Sequence, residues 1–191
     1  KVHDLMTKGT SPKNMPWEFA VLDALQKIHN PFLDAVMSFF SIIVDKGILW
    51  IAIAVILVII PKTRRIGLIM GFALLVDVLL CNVALKPIFN RPRPCQINTA
   101  IKLVIPAPFD ASFPSGHAAA SFAVTAAMFM AKKKKLAILF LVITLIVCFS
   151  RLYLYHHFPT DIIGGTAVGI IAGMLGYFIY SKTVDKKFHL Q

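Results

Sequence analysis

Four stretches of this chain are almost free of charge: Ile48–Ile60, Ile66–Leu85, Leu136–Phe149 and Ile162–Ile179. Runs near 20 apolar residues are long enough to cross a hydrocarbon core of about 30 Å as helix. That feature constrains the fold more than any other. Composition agrees, with 58% hydrophobic and 15% charged residues among 191; a soluble domain has about 45–50% and about 25%. The chain is read as an all-α, polytopic membrane protein. A net charge of +11 would suggest nucleic acid in a soluble chain. In a membrane protein it reflects basic loops and an anion-binding pocket, so no nucleic-acid partner is expected.

Residues 1–14 are polar and are set aside as a disordered or foreign N-terminal segment, with Met15 a candidate start and no cleavable signal peptide expected. Residues 15–181 make one membrane domain, and 182–191 a basic cytoplasmic tail. Trp17–His29 carries Phe19, Leu22, Leu25 and Ile28 at helical spacing, which predicts an amphipathic helix at the interface, broken by Asn30-Pro31. Six membrane helices follow: Phe32–Val44, Gly47–Ile60, Ile66–Leu85, Ser115–Ala131, Leu136–Tyr153 and Pro159–Tyr180. Lys86–Phe113 is the one long connection. It holds Pro87, Pro92, Pro94, Pro106 and Pro108, so it is not helical, and its length favours a functional loop.

Basic residues cluster at Lys62–Arg65, at Lys132–Lys135 and after the last span. With six spans these share one face, cytoplasmic by the positive-inside rule, with both termini. The long loop and the turn between the last two spans then share the external face. Cys81 and Cys148 sit in apolar runs as small buried hydrophobes, Cys95 lies in the loop, and no spacing suggests a disulfide or zinc site. Nothing fixes an oligomeric state.

Three polar clusters mark the external ends of otherwise apolar helices. Lys86, Arg93 and Arg151 would converge there, two arginine forks and a point charge suited to phosphoryl oxygens. Arg151 ends an apolar run, where charge is a functional hypothesis by default, although a snorkelling arginine would look the same. Pro114-Ser115-Gly116-His117 opens a helix, with Pro114 suited to its first position. The N–H groups of such a first turn bind anions, and Gly116 permits close approach. Alone, the same residues read as an ordinary proline-started helix. His157 and Asp161 are four apart. A carboxylate at that spacing can hold one imidazole nitrogen and leave the other free to attack phosphorus. His117, from another helix, can protonate the leaving oxygen. His156 beside His157 invites a metal, but adjacent side chains diverge and no carboxylate pair accompanies them, so no metal or cofactor is expected.

The pattern Lys86-x6-Arg93-Pro94, Pro114-Ser115-Gly116-His117 and Ser150-Arg151-x5-His157-x3-Asp161 resembles the three-part signature of the type-2 phosphatidic acid phosphatase superfamily. The resemblance implies a six-helix membrane bundle and a metal-independent phosphatase with His157 as nucleophile, Asp161 as its orienting partner and His117 as general acid. It also implies that Lys86, Arg93, Ser115, Gly116 and Arg151 hold the phosphoryl oxygens. The substrate class it implies is a membrane lipid phosphate or pyrophosphate, with undecaprenyl pyrophosphate as lead. Phosphatidylglycerophosphate, phosphatidic acid and lipid A phosphates stand as alternatives. A phosphotransferase with the same intermediate and a non-catalytic lipid- or phosphate-binding protein compete with hydrolysis. Residues choosing the substrate are placed in Cys95–Ser112. Arg91 falls outside the signature and reads as a head-group contact or a solvated charge. Asp77, inside a span, is expected to hydrogen-bond a neighbouring helix. Glycines 164, 165, 169, 173 and 176 predict close helix packing along the last span.

Overall fold

The computed structural model describes residues 16–185, and all regular structure among them is helical. Residues 1–15 and 186–191 lie outside the described residues, with the N-terminal segment and most of the basic tail. Helix α1 spans Pro16–Gln26. Asn30 then caps α2, Pro31–Ile43, its side chain accepting the Leu33 N–H (3.0 Å) while Pro31 takes the first turn. Lys46 and Gly47, at φ 51° and 73°, turn the chain in a short 3₁₀ segment before α3, Ile48–Ile59. Helix α4, Arg64–Asp77, runs on through a π-helical stretch, Val78–Leu85, and a last turn, Lys86–Phe89, which Asn90 ends at φ 38°. After a short α5, Pro94–Ile97, come α6 (Gly116–Met130), α7 (Lys134–Tyr153) and α8 (Pro159–Tyr180).

Helix α8 packs against both α6 and α4, α6 also meets α7, and α3 packs on α4. The α6–α8 contact is backbone on backbone. A Cβ at Gly169 or Gly173 would lie 2.3 Å from the carbonyl oxygen of Ala119 or Ala123, so only glycine fits. The expected glycine packing is therefore present, and a run of buried alanines in α6 supplies the opposing face. Hydroxyls join the helices where burial forbids water. Trp50 Nε1 donates to Ser121 Oγ (2.9 Å), and the Thr125 and Thr144 hydroxyls lie 3.1 Å apart. Outward faces carry exposed Ile51, Val55, Leu139, Val142, Ile171 and Leu175, an apolar surface suited to lipid.

Three differences from the expected architecture follow from helix geometry. Helices Arg64–Ile97, Lys134–Tyr153 and Pro159–Asp185 are long and apolar enough to cross a membrane. The first two expected spans are instead one pair of helices of 13 and 12 residues with a 45° bend. At 1.5 Å per residue, each reaches only about 20 Å. Lys86–Phe113 is not wholly irregular, because Pro87 and Pro94 each sit in the first turn of a four-residue helix, where a missing N–H does no harm.

The third difference concerns the ends. Helix α1 packs near Tyr153 and Thr160, at the C-terminus of α7 and the N-terminus of α8. Asp185 instead pairs with Arg65 (2.6 Å) at the start of α4. The 22 residues of α8 separate these places by about 33 Å. The two ends of the described chain therefore lie at opposite ends of the bundle, and not together as the six-span reading required. The basic segments at 62–65 and 132–135 flank the helix ends on the Asp185 side.

Candidate active site

Each polar cluster arrives at the same end of the bundle by a different helix. Lys86 follows the π-helical stretch of α4, whose wider turn carries it past Asn82. Gly116 and His117 open α6. Arg151 sits in the last turn of α7, whose carbonyl at Arg151 accepts N–H groups from both His156 (3.0 Å) and His157 (3.3 Å). Tyr155, at φ 61°, makes the reversal that folds the two histidines back over the helix end. Asp161 is in the first turn of α8 and accepts the Phe158 N–H (2.8 Å).

Lys86, Arg93, Gly116, His117, Arg151 and His157 together line one cavity of about 720 Å³. Six of the eight predicted site residues thus share a single space. Asp161 stands behind His157 and is fully buried. Ser115 is placed differently from the expectation. It is the N-cap of α6, its Oγ accepting the Ala118 N–H (3.5 Å), and it is buried outside the cavity lining. Pro114 precedes that cap and so is not the first helical residue. At Gly116 a Cβ would meet nothing closer than 3.5 Å, the nearest groups being Asn82 Oδ1 and Lys86 Nζ. That space opens on the lysine.

The protonation pattern of His157 follows from its neighbours. Arg93 Nη1 lies 3.0 Å from His157 Nε2, and a guanidinium can only donate. Nε2 therefore carries a lone pair and Nδ1 the proton. Nδ1 faces Asp161 Oδ2 at 3.5 Å and Ser112 Oγ at 3.4 Å, while Ser112 donates to the same Oδ2 at 2.5 Å. Burial pushes the imidazole well below its ordinary pKa of 6.5, and Arg93, Arg151 and Lys86 reinforce the shift. The ring is neutral near pH 7. His117 has the opposite tautomer, since its Nε2 sits 3.2 Å from the Ser41 carbonyl and must donate to it.

Arg151 is fully buried and gives one nitrogen to Ser41 Oγ, but its Nε and Nη2 have no partner among the described residues. A buried guanidinium with idle donors is costly in a folded core, and such donors suit an anion entering the cavity. Arg93 binds Asp110 with Nη2 (2.7 Å), its backbone carbonyl with Nε (3.0 Å) and the His156 carbonyl with Nη1 (2.9 Å). Lys86 pairs with the same carboxylate. Burial alone would raise the Asp110 pKa, but Lys86 and Arg93 overcome it and hold the group at about 2.

Sequence reasoning passed over Ser41, Ser112, Asp110 and Glu18, and left Arg91 outside the site. Arg91 in fact binds Asp161 Oδ1 (2.5 Å) and Glu18 Oε2 (2.7 Å). The spacing Arg91-Pro-Arg93 was the available signal, because a proline between them makes the two arginines diverge. Asp77 does not make the expected interhelical bond through Oδ1, which is buried without a partner among the described residues. It lines the same cavity.

The sequence profile described as the PAP2 superfamily matches residues 66–185, more than half of the chain and all eight of the predicted site residues. The chain belongs to the PAP2 superfamily. It is 30% identical over 153 residues to the undecaprenyl-diphosphatase BcrC of Bacillus subtilis, covering 80% of this chain and 77% of that one. It is also 30% identical over 168 residues to the lipid A 4'-phosphatase of Bacteroides thetaiotaomicron, covering 81% and 73%. Among solved structures, the transmembrane PAP2-type phosphatidylglycerolphosphate phosphatase of Bacillus subtilis superposes with a TM-score of 0.69 at 26% identity, covering 95% of this chain and 92% of that one. PAP2 phosphatases of this kind are membrane hydrolases of lipid phosphates. In this PAP2 member the cavity is lined by apolar Ile42, Ile48, Ile51, Leu74 and Val78 as well as by the charged groups.

Proposed function

We propose that this chain hydrolyses a membrane lipid phosphate or pyrophosphate through a phosphohistidine on His157, with undecaprenyl pyrophosphate as lead substrate. The observation that carries the reading is the His157 ring. Its Nε2 lone pair lies among three cations in the cavity, and its Nδ1 proton lies toward Asp161. A phosphate-binding protein needs the cations but not an oriented, unprotonated imidazole.

In the first step Nε2 forms a bond to phosphorus as the bond to the leaving lipid oxygen breaks, and His117, protonated at Nδ1 as well as at Nε2 when the anionic substrate is bound, gives its Nδ1 proton to that oxygen. Arg93, Arg151, Lys86 and the amides of the α6 N-terminus carry the phosphoryl charge. Binding substrate moves Arg93 Nη1 from the lone pair onto a phosphoryl oxygen, which frees the nucleophile. In the second step water attacks phosphorus, the N–P bond breaks, and His117 takes the water's proton. The cations hold the charge that a metal would otherwise balance, so the reaction is proposed to need none.

Two undecaprenyl-diphosphatases, from Bacillus subtilis and Sulfolobus acidocaldarius, are among the relatives and support the lead substrate. The apolar residues lining the cavity favour a lipid over a soluble ester. The site is assigned to the external face because the basic segments lie at the remote end of the bundle. On this assignment α2 and α3 form one bent crossing, and α4, α6, α7 and α8 supply four more. The N-terminal helix then lies on the external side with the site.

The test is phosphate release by purified protein in detergent, with excess chelator, from undecaprenyl pyrophosphate, phosphatidylglycerophosphate, phosphatidic acid and a soluble ester. Release that vanishes in folded His157→Ala supports the mechanism, and kcat/KM ranks the substrates. No free phosphate release, with the phosphoryl group appearing on an added lipid acceptor, would make the chain a phosphotransferase, and loss of activity in chelator would end the metal-free proposal.

A further inference from the structure

Glu18 is fully buried at the start of the N-terminal helix, outside every motif of the family signature. Burying a carboxylate is unfavourable unless it is paired and hydrogen-bonded. Here it is both. Oε2 accepts Arg91 Nη2 (2.7 Å), and Oε1 accepts the Thr160 hydroxyl (2.5 Å) and backbone N–H (3.2 Å). Thr160 immediately precedes Asp161. Arg91 in turn gives Nη1 to Asp161 Oδ1 (2.5 Å) and to Thr160 Oγ1 (2.7 Å), and its guanidinium lies 4.2 Å from the centre of the Phe158 ring. An alternating series of charges thus runs from Glu18 through Arg91 to Asp161 and ends at the His157 ring.

Charge balance shows what the first member does. An isolated Arg91–Asp161 pair is neutral as a unit, and its field at His157 is that of a dipole. Asp161 would then do little to stabilise positive charge on the ring as a bond to phosphorus forms. A second carboxylate on the far side of Arg91 restores a net negative unit beside the nucleophile. It also fixes the plane of the guanidinium, because one fork is spread across two anions. The surroundings fit this need, since Asp161 is wholly enclosed and effects of charge are large where water is excluded.

We propose that Glu18 is a positioning residue for the nucleophile, held by the N-terminal helix against Arg91 so that Asp161 keeps its charge for His157. The helix is thereby part of the catalytic apparatus and not only a membrane-surface anchor. This inference rests on the proposed phosphohistidine chemistry.

The test compares wild type, Glu18→Gln and Glu18→Asp as full-length protein in detergent, by steady-state kinetics on a lipid phosphate and by thermal unfolding. Glu18→Gln is expected to lower kcat by about ten- to a hundredfold, as loss of orienting partners does, with KM within about twofold because no phosphate ligand is touched. Glu18→Asp is expected to recover part of the loss. A purely structural pin would change the unfolding midpoint without this split between kcat and KM. Unchanged kcat in Glu18→Gln, a loss carried by KM, or an Asp variant no better than the Gln variant would each overturn the proposal. If Glu18→Gln does not fold, Arg91→Lys keeps the charge but not the fork. It should then lose kcat at constant KM, and full kcat there would overturn the proposal equally. His157-dependent release at equal kcat in wild type and Glu18→Gln removes only the role of Glu18. No such release from wild type removes the phosphatase reading and this inference with it.

Discussion

Asp110 occupies two of the cations that the proposed mechanism gives to the phosphoryl group, and this makes the effect of its removal calculable. Its carboxylate binds Lys86 and Arg93 from a loop whose neighbour, Phe109, is wholly exposed. The cations hold it at about 2 against an ordinary 3.8. Taken at face value this preference is worth about 2.5 kcal/mol. The side chain is 48% exposed, and solvent screening of such a pair brings the figure to about 1 kcal/mol. An anion that binds Lys86 and Arg93 must first displace the carboxylate. Asp110→Asn keeps the shape, removes the charge, and should therefore tighten competitive inhibition by inorganic phosphate or vanadate by roughly fivefold. The sign with pH is fixed by the direction of the shift. A depressed carboxylate stays ionised until the pH falls toward its folded value, here about 2. The ratio of inhibition constants between variant and wild type should then be flat from pH 5 to pH 8. The assay is the inhibition constant for phosphate in both proteins at several pH values. Equal or weaker inhibition in Asp110→Asn would show that the carboxylate organises the cations instead of competing for them, and would refute the reasoning.

Arg151→Lys keeps a charge but not the fork that leaves Nε and Nη2 unpartnered. One or two charged hydrogen bonds to phosphate are lost, and kcat/KM should fall by at least about tenfold; near-normal kinetics would remove Arg151 from phosphate binding. Gly169→Ala places a Cβ 2.3 Å from the Ala119 carbonyl and should destabilise by about 1–3 kcal/mol, whereas Gly71→Ala, with open space around it, should be neutral or stabilising. Thermal midpoints in detergent compare the two directly, and equal effects would contradict the α6–α8 contact. His156 is held at about 3 by burial and then Arg151, so the unfolded chain binds a proton below about pH 6.5 that the folded ring refuses. Stability should therefore decline as pH falls from 6.5 toward 3, and His156→Gln should flatten that decline, as unfolding at pH 7 and pH 4.5 would reveal.

What the sequence made legible, and what it did not, divides along physical lines. Apolar runs, glycine spacing and prolines are local properties, and they placed α6, α7 and α8 within about two residues of their observed ends. The three-part motif brought Lys86, Arg93, Gly116, His117, Arg151 and His157 into one cavity because its members sit at helix ends, where a bundle must bring them level. The span count turns on Asp45–Gly47, where two left-handed residues bend by 45° a helix pair whose hydropathy alone looks like two crossings. On the five-crossing assignment proposed above, the N-terminal helix lies on the side of the site, since each crossing exchanges faces. Glu18 drew no notice in the sequence, and Arg91 read as a head-group contact or a solvated charge. Their pairing has no local signal, because the two are separated by 73 positions and meet only when α1 folds over the start of α8. The same holds for Ser112 and Ser41, small hydroxyls whose meaning comes from Asp161 and Arg151. The residues to which the chemistry is assigned are particular side chains at helix termini, and so they form a pattern. The residues that hold those side chains in place need only arrive from somewhere, and the fold decides from where.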